Sequence, residues 1–164
     1  MSGYYMTFLV YSEENTYQGA IKSAKDEIDA MYAEGSLGPD DHGYIDPIEK
    51  IIPATKTEPF RNAISELNLK RATAYQYYVE KAVEITNKAG HTLANLPLEE
   101  QEPSKYNDMF GHYMKLAGLI HGRDFTVQGI LYDTETFECG ITQDRLNELL
   151  KHPNGFYLVP MVVG

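Results

Sequence analysis

Three carboxylates and one imidazole lie close together in a glycine-rich stretch of the sequence. Asp40, Asp41 and His42 are consecutive, and Asp46 follows four residues after His42. Carboxylate oxygens suit magnesium or calcium and an imidazole suits zinc, so these four side chains are weak candidates for metal ligands. Their spacing matches neither an EF-hand loop nor a zinc motif. Because aspartate and glycine also favour turns for backbone reasons, we interpret the stretch as an exposed loop and predict no metal.

The single cysteine, Cys139, is a second candidate for chemistry. It lies just before a predicted helix start at Thr142, and a thiol near a helix N-terminus can have a depressed pKa and become nucleophilic. Such a thiol also needs a base, and only the fold can bring a histidine to it. A lone cysteine in a strand is more often a small buried hydrophobic residue. One cysteine cannot form an internal disulfide, so the sequence does not indicate an oxidising compartment.

Motifs of the common enzyme classes are absent from the sequence. It contains no Walker loop, no G-x-G-x-x-G stretch, no H-E-x-x-H, no C-x-x-C and no G-x-S-x-G. We therefore predict no cofactor. A small hydrolase or transferase that depends on a metal or on Cys139 remains the alternative to a function without catalysis.

Acidic residues outnumber basic residues by 24 to 14, which gives a net charge of −10 at pH 7. The excess lies mainly in residues 1–50, with ten acidic and three basic side chains, and in residues 98–138, with eight and three. Since lysine and arginine bind phosphate groups, this charge argues against direct binding of nucleic acid or of an anionic membrane. The negative charge favours a protein partner with a basic surface. Alternatively it serves solubility alone, because a net charge of up to about 8 is already usual for a soluble small domain.

A sharper form of the partner hypothesis is an inhibitor that mimics nucleic acid. Carboxylates along residues 13–34 and the following loop to Glu49 would then replace phosphates in a basic groove. The sequence also holds 13 tyrosines, a residue type enriched at protein interfaces. On a helix Tyr75 and Tyr78 share a face and Tyr77 points elsewhere, so at least one is expected to be exposed. The residues predicted to contact a partner are Glu13, Glu14, Asp26, Glu27, Asp29, Glu34, Asp40, Asp41 and Tyr77.

Periodicity predicts the elements of the first half of the chain. The apolar and aromatic run Tyr4–Tyr11 predicts a strand buried on both faces. Ser12 and Asn15 are the expected caps of a helix with an apolar stripe from Tyr17 to Met31, which Gly35 ends. A second helix is expected from Thr57, with Pro59 in its first turn, to Gly90. Whether Asn68 caps a separate helix within that range stays open at this point.

The second half of the sequence predicts a change from helix to sheet. Ser104 is expected to cap a helix that closes at Gly122, and a hairpin follows near residues 125–141, with its turn at residues 133–136. Thr142 caps a short helix that carries Leu146, Leu149 and Leu150. The final strand is predicted for residues 156–163, at a sheet edge or with a bulge, because Pro160 cannot donate a ladder hydrogen bond.

Together these elements predict an α+β fold. A small antiparallel or mixed sheet, formed by the N-terminal strand, the hairpin near 125–141 and the C-terminal strand, packs with about four helices. The length of 164 residues fits a single domain, 1–164. No apolar run approaches the roughly 20 residues of a membrane-spanning helix, so we expect a cytoplasmic protein. We interpret it as a non-enzymatic binding or regulatory protein that acts through protein–protein contact, and the sequence is compatible with a homo-oligomer.

Overall fold

The computed structural model describes residues 4–34, 43–45, 48–95, 114 and 130–163. The chain divides into two compact units, one formed by residues 1–70 with 125–164 and the other by residues 71–124. The sheet lies in the first unit. Within the described part of the second unit, residues 71–95 are helical.

A mixed β-sheet forms the centre of the first unit. Its strands are β1 (Tyr4–Tyr11), β2 (Gly43–Ile45), β3 (Ile52–Pro53), β4 (Ile130–Asp133), β5 (Glu138–Cys139) and β6 (Phe156–Val163). Neighbouring strands follow the order β2-β6-β1-β4-β5, and β3 pairs with β6 on the same side as β2. β1 and β4 are parallel, whereas the other pairs are antiparallel. Of the two predicted alternatives, antiparallel or mixed, the sheet is mixed, and it also contains the short strands β2 and β3, which the sequence did not predict.

Three α-helices and one short 3-10 helix lie in the described residues. The α-helices are α1 (Tyr17–Ala33), α2 (Thr57–Asn95) and α3 (Gln143–Lys151), and the 3-10 helix covers Ile48–Lys50. Of the predicted helix between residues 104 and 122 the structure describes only Met114, which is helical, and the glycine predicted to end α1 lies outside the described residues.

Two predictions about α2 are corrected. Gly90 does not end the helix, which continues to Asn95, because a glycine weakens a helix by about 1 kcal/mol without forbidding it. Asn68 does not cap a second helix. Its side chain instead contacts the backbone of Ile141: Nδ2 donates to the carbonyl oxygen at 2.7 Å and Oδ1 accepts from the N–H at 3.2 Å.

Both faces of the sheet are covered by helices. Successive residues of a strand point to opposite faces. On one face Phe8 packs in a buried cluster with Ala24 and Ile28 of α1. On the other face Leu9 packs in a second cluster, formed with the N-terminal part of α2 and with α3. Residues 6–10 of β1 are buried on both faces, as the apolar run predicts, whereas Tyr11 at the end of the run is exposed.

The start of α1 differs from the prediction. Thr16, rather than Ser12 or Asn15, is the N-cap, and its Oγ1 accepts a hydrogen bond from the N–H of Gly19 at 3.0 Å. Ser12 lies earlier in the turn, where its Oγ accepts from the N–H of Thr16. Asn15 has a φ of 49°, and its Oδ1 accepts from the N–H of Gly155 at 3.0 Å. Ser12 and Asn15 therefore bind the backbone of Thr16 and Gly155 and do not act as the N-cap of α1.

The position of Pro160 is also corrected. β6 is an inner strand without a bulge, because its register with β1 is continuous from residue 156 to residue 163. The carbonyl of Phe156 accepts from the N–H of Ala54 and therefore points away from β1. Every second residue of a strand directs its backbone N–H and C=O to the same side, so the backbone groups of Pro160 also point away from β1. On that side Pro160 lies between the segments paired with β3 and β2. The missing N–H therefore interrupts no described ladder pair.

Candidate protein-binding surface

The acidic residues predicted to bind a partner do not form one continuous row. Glu13 and Glu14 are exposed in the turn between β1 and α1, whereas Asp26 and Asp29 are exposed on α1 itself. Glu34 is the exposed C-cap residue of α1. The remaining predicted residues of this stretch, Asp40 and Asp41, lie outside the described residues, as do the metal candidates His42 and Asp46.

Basic side chains interrupt the outward face of α1. Lys22 and Lys25 are exposed, each four residues before Asp26 or Asp29, and this spacing places all four side chains on one helix face. The described part of α1 thus offers a face of mixed charge. This face does not present the regular array of carboxylates that a nucleic-acid mimic requires.

Glu27 differs from the other acidic residues of α1 because it is half-buried and faces the sheet. Its carboxylate accepts a hydrogen bond from the hydroxyl of the buried Tyr132 on β4. Burial raises the pKa of the Glu27 carboxyl, an effect that the hydrogen bond from Tyr132 opposes and the charge of Glu34 increases. Burial likewise raises the pKa of Tyr132 to about 12, with the negative charge of Glu27 adding to it. Glu27 therefore contributes to the packing of α1 against β4 more than to the charged surface.

Cys139 lies on the side of the sheet that faces α1. It pairs with Tyr132 across the β4–β5 ladder, is only 8% exposed, and belongs to the same buried cluster as Phe8. Thr142 caps α3, accepting from the N–H of Arg145 at 3.2 Å, as predicted from the sequence. However, α3 packs against the opposite face of the sheet. The thiol therefore points away from the helix whose N-terminus was expected to activate it.

No metal-binding group of three or more histidine, cysteine or acidic side chains occurs among the residues that the structure describes.

Tyrosines of α2 are exposed in the second unit. Tyr77 is 50% exposed and Tyr75 is also exposed, whereas Tyr78 is half-buried. The rings of Tyr77 and Tyr78 contact edge to face with centroids 5.2 Å apart, and Lys81 Nζ lies 5.8 Å from the centre of the Tyr77 ring. The expectation that at least one member of this cluster is exposed is met by the described structure.

A further cluster, not predicted from the sequence, surrounds Arg145 of α3. Its guanidinium contacts three carboxylates: Nε to Asp133 Oδ2 at 2.9 Å, Nη2 to Glu135 Oε2 at 2.6 Å, and Nη1 to Glu148 Oε2 at 3.3 Å. The same group lies 5.7 Å from the ring centre of Phe156. Burial lowers the pKa of Arg145, but the hydrogen bonds to Asp133 and Glu135 outweigh it and leave the pKa above its usual value. Arg145 thus fixes the β4–β5 connection to α3.

We call this connection, residues 133–138, the hairpin tip. Its backbone is held by several hydrogen bonds. Thr134 donates from both N–H and Oγ1 to the carbonyl of Leu9, at 3.1 and 2.8 Å. The carboxylate of Asp133 accepts from the N–H of Glu135 at 3.0 Å, and the carbonyl of Asp133 accepts from the N–H of Phe137 at 2.8 Å. These hydrogen bonds give the turn one defined conformation.

Phe137 is the most unusual residue of the hairpin tip. Its side chain is 69% exposed and its φ is 58°, in the left-handed region that glycine and asparagine favour. The hairpin predicted from the sequence has its turn at residues 133–136 and so begins its returning strand at Phe137, whereas in the structure Phe137 belongs to the turn. The only sequence feature that points to Phe137 is the presence of an aromatic residue within the turn-forming segment at residues 133–138.

Comparisons with known proteins give no further indication of function: no family model, no curated protein and no solved structure matches this chain. Within the described residues, no helix combines the length and the apolar character needed to cross a membrane.

Proposed function

We propose that the protein is a non-enzymatic binding or regulatory protein that contacts a protein partner with a basic surface. One observation carries the proposal: among the residues that the structure describes, large aromatic side chains are exposed and the exposed charged groups are mostly carboxylates. In the first unit these aromatic residues are Tyr11 and Phe137, and in the second they are Tyr75 and Tyr77. Aromatic residues dominate the binding energy of many protein interfaces, and charge complementarity sets the rate and specificity of association.

Binding to a basic protein in general is favoured over the mimicry of nucleic acid. The mimic needs closely spaced negative charges, since DNA carries one charge per roughly 1.7 Å of its axis. Lys22 and Lys25 share the outward face of α1 with Asp26 and Asp29, so this helix supplies no such spacing. The buried position of Cys139 likewise gives no support to a thiol-dependent enzyme.

The test is a pull-down with the full chain from a host lysate, followed by binding measurements on each recovered protein after its purification. Affinity is measured at about 50 mM and about 200 mM salt, because the screening length near 0.1 M is about 10 Å. We expect at least one recovered protein to bind directly, and its affinity to fall as salt rises.

A matched pair of double variants tests whether the acidic side chains of α1 take part. Asp26→Asn with Asp29→Asn removes two exposed carboxylates from the proposed surface. Glu58→Gln with Glu66→Gln removes two exposed carboxylates from α2, where each forms only an exposed ion pair within its own helix. We expect the α1 variant to weaken binding about fivefold at low salt and the α2 variant less than twofold.

Three results would contradict the proposal. The first is that no recovered protein binds the purified chain directly. The second is an affinity that does not change with salt. The third is a metal ion bound to the purified protein, or rapid alkylation of Cys139 in the folded state, either of which would favour the alternative of a small hydrolase or transferase.

A further inference from the structure

We propose that Phe137 is the anchor of the partner contact, inserted into an apolar pocket whose rim carries lysine or arginine side chains. This inference rests on the proposed function and names the part of the surface that binds. It is carried by four features of the hairpin tip: the backbone conformation of Phe137, the exposure of its ring, the rigidity of the turn and the surrounding charge.

Neither the backbone nor the core explains a phenylalanine at this position. The φ of 58° is unfavourable for any residue with a Cβ and suits glycine or asparagine. The ring is 69% exposed, so it contributes little to the buried clusters on either face of the sheet. A glycine would satisfy the turn and would expose no apolar surface. Strained residues of this kind are concentrated at binding sites, where the rest of the structure holds them in place.

The turn holds the backbone that carries this ring in one conformation. The carboxylate of Asp133 accepts from the N–H of Glu135, Thr134 donates to the carbonyl of Leu9, and Arg145 joins Asp133 and Glu135 to α3. None of these contacts involves the ring of Phe137. A turn that is ordered before association loses little backbone freedom on binding, which is a property of an effective anchor.

The negative charge of the hairpin tip indicates which side chains the rim of the partner's pocket carries. Asp133, Glu135 and Glu138 lie in the hairpin tip, and Glu148 lies beside Arg145. The hairpin tip and its surroundings thus hold four carboxylates and one guanidinium, and three of the carboxylates contact that guanidinium. The exposed Glu138 is adjacent to Phe137 in the chain. A partner that receives the ring therefore meets net negative charge at its edge, and lysine or arginine at the rim is the complementary choice.

The experiment uses the protein recovered and purified in the pull-down described above, at about 50 mM salt. Phe137→Ala should weaken binding by about 30-fold or more, the effect of removing an interface hot spot. Phe137→Gly, which suits the backbone better, should lose as much affinity while the turn keeps its shape. Phe137→Tyr keeps the ring and should bind within about threefold of the natural chain.

Leu69→Ala is the matched control. Leu69 belongs to the same unit and is 67% exposed, close to the value for Phe137, but it lies within a helix. We expect its truncation to change the affinity less than twofold. Photo-crosslinking through p-benzoylphenylalanine at position 137 should label apolar residues of the purified partner that lie next to lysine or arginine.

The results separate this inference from the proposed function. If a salt-dependent partner binds and Phe137→Ala and Phe137→Gly bind as well as the natural chain, the anchor is wrong and the proposed function stands. If Leu69→Ala weakens binding as much as Phe137→Ala, the effect is not specific to the hairpin tip and the anchor is again wrong. If no protein binds in a salt-dependent manner, both proposals are wrong.

Discussion

The conformation of Phe137 predicts an inverted order of stability for two small substitutions. Both Phe137→Ala and Phe137→Gly remove the exposed ring and its few contacts, and they differ only in the Cβ and in the freedom of the unfolded chain. A Cβ on left-handed backbone costs about 1–2 kcal/mol. Glycine costs about 0.5–1 kcal/mol through the larger entropy of its unfolded state. At the φ of 58° the first contribution is the larger, so Phe137→Gly should be more stable than Phe137→Ala by about 0.7 kcal/mol.

Glu138, the next residue, supplies the control. It is exposed, lies on β5 opposite Asp133, and is not among the described residues that have a positive φ. Here glycine has only its entropic disadvantage, so Glu138→Ala should be more stable than Glu138→Gly by about 0.5–1 kcal/mol. Comparing alanine with glycine at each site removes the contribution of the original side chain from the argument.

The measurement is urea-induced unfolding followed by circular dichroism, with thermal unfolding as a second readout. For a chain of this size, 0.7 kcal/mol corresponds to a difference in Tm of about 1.5–3 °C. If Phe137→Ala is as stable as Phe137→Gly, or more stable, the residue does not carry left-handed strain. The conformation of Phe137 then gives no reason to assign this residue a purpose other than folding.

Three further perturbations test the contacts that hold the first unit together. Arg145→Met should lower the free energy of unfolding by about 3 kcal/mol, because Asp133 is 1% exposed and would lose its guanidinium, and adding Asp133→Asn should restore part of the loss in urea unfolding. Gly19→Ala should destabilise by about 1–2 kcal/mol in the same assay, since a Cβ there overlaps Ser12 Oγ, and the penalty should largely disappear when Ser12→Ala is also present. With a pKa near 12 in the folded protein and an ordinary pKa near 10 when unfolded, the Tyr132 phenol loses its proton first in the unfolded state. Stability should therefore fall between pH 10 and pH 12, and thermal unfolding of Tyr132→Phe should show a smaller fall.

Local patterns were sufficient to predict several elements from the sequence. The strand at residues 4–11, the strand at residues 156–163 and the cap of α3 at Thr142 occur where the sequence predicted them. These features depend on side-chain alternation and on capping chemistry within a few residues. The start of α2 at Thr57, with Pro59 in its first turn, is of the same kind.

Predictions that depend on distant parts of the chain were less successful. The sequence predicts an edge or a bulge at Pro160 because it does not reveal that β2 and β3 pair with β6 on either side of this residue. Asn68 has the residue type of a helix cap, but its side chain binds the backbone of Ile141, 73 residues later. The Arg145 cluster had no local signal either, since the three carboxylates converge only when the hairpin packs beside α3.

The two proposed contributions to binding act on different steps of association. Exposed carboxylates such as Glu13, Glu14 and Asp29 are spread over the turn before α1 and over α1 itself, so we expect their field to extend beyond any single contact and to accelerate the encounter with a basic surface. We expect Phe137 to act only at contact distance, where burial of its ring slows dissociation. Salt and the α1 carboxylates should therefore act mainly on the association rate, and Phe137 mainly on the dissociation rate. The hairpin tip is suited to the second role because its conformation is held by Asp133, Thr134 and Arg145 rather than by the ring it presents.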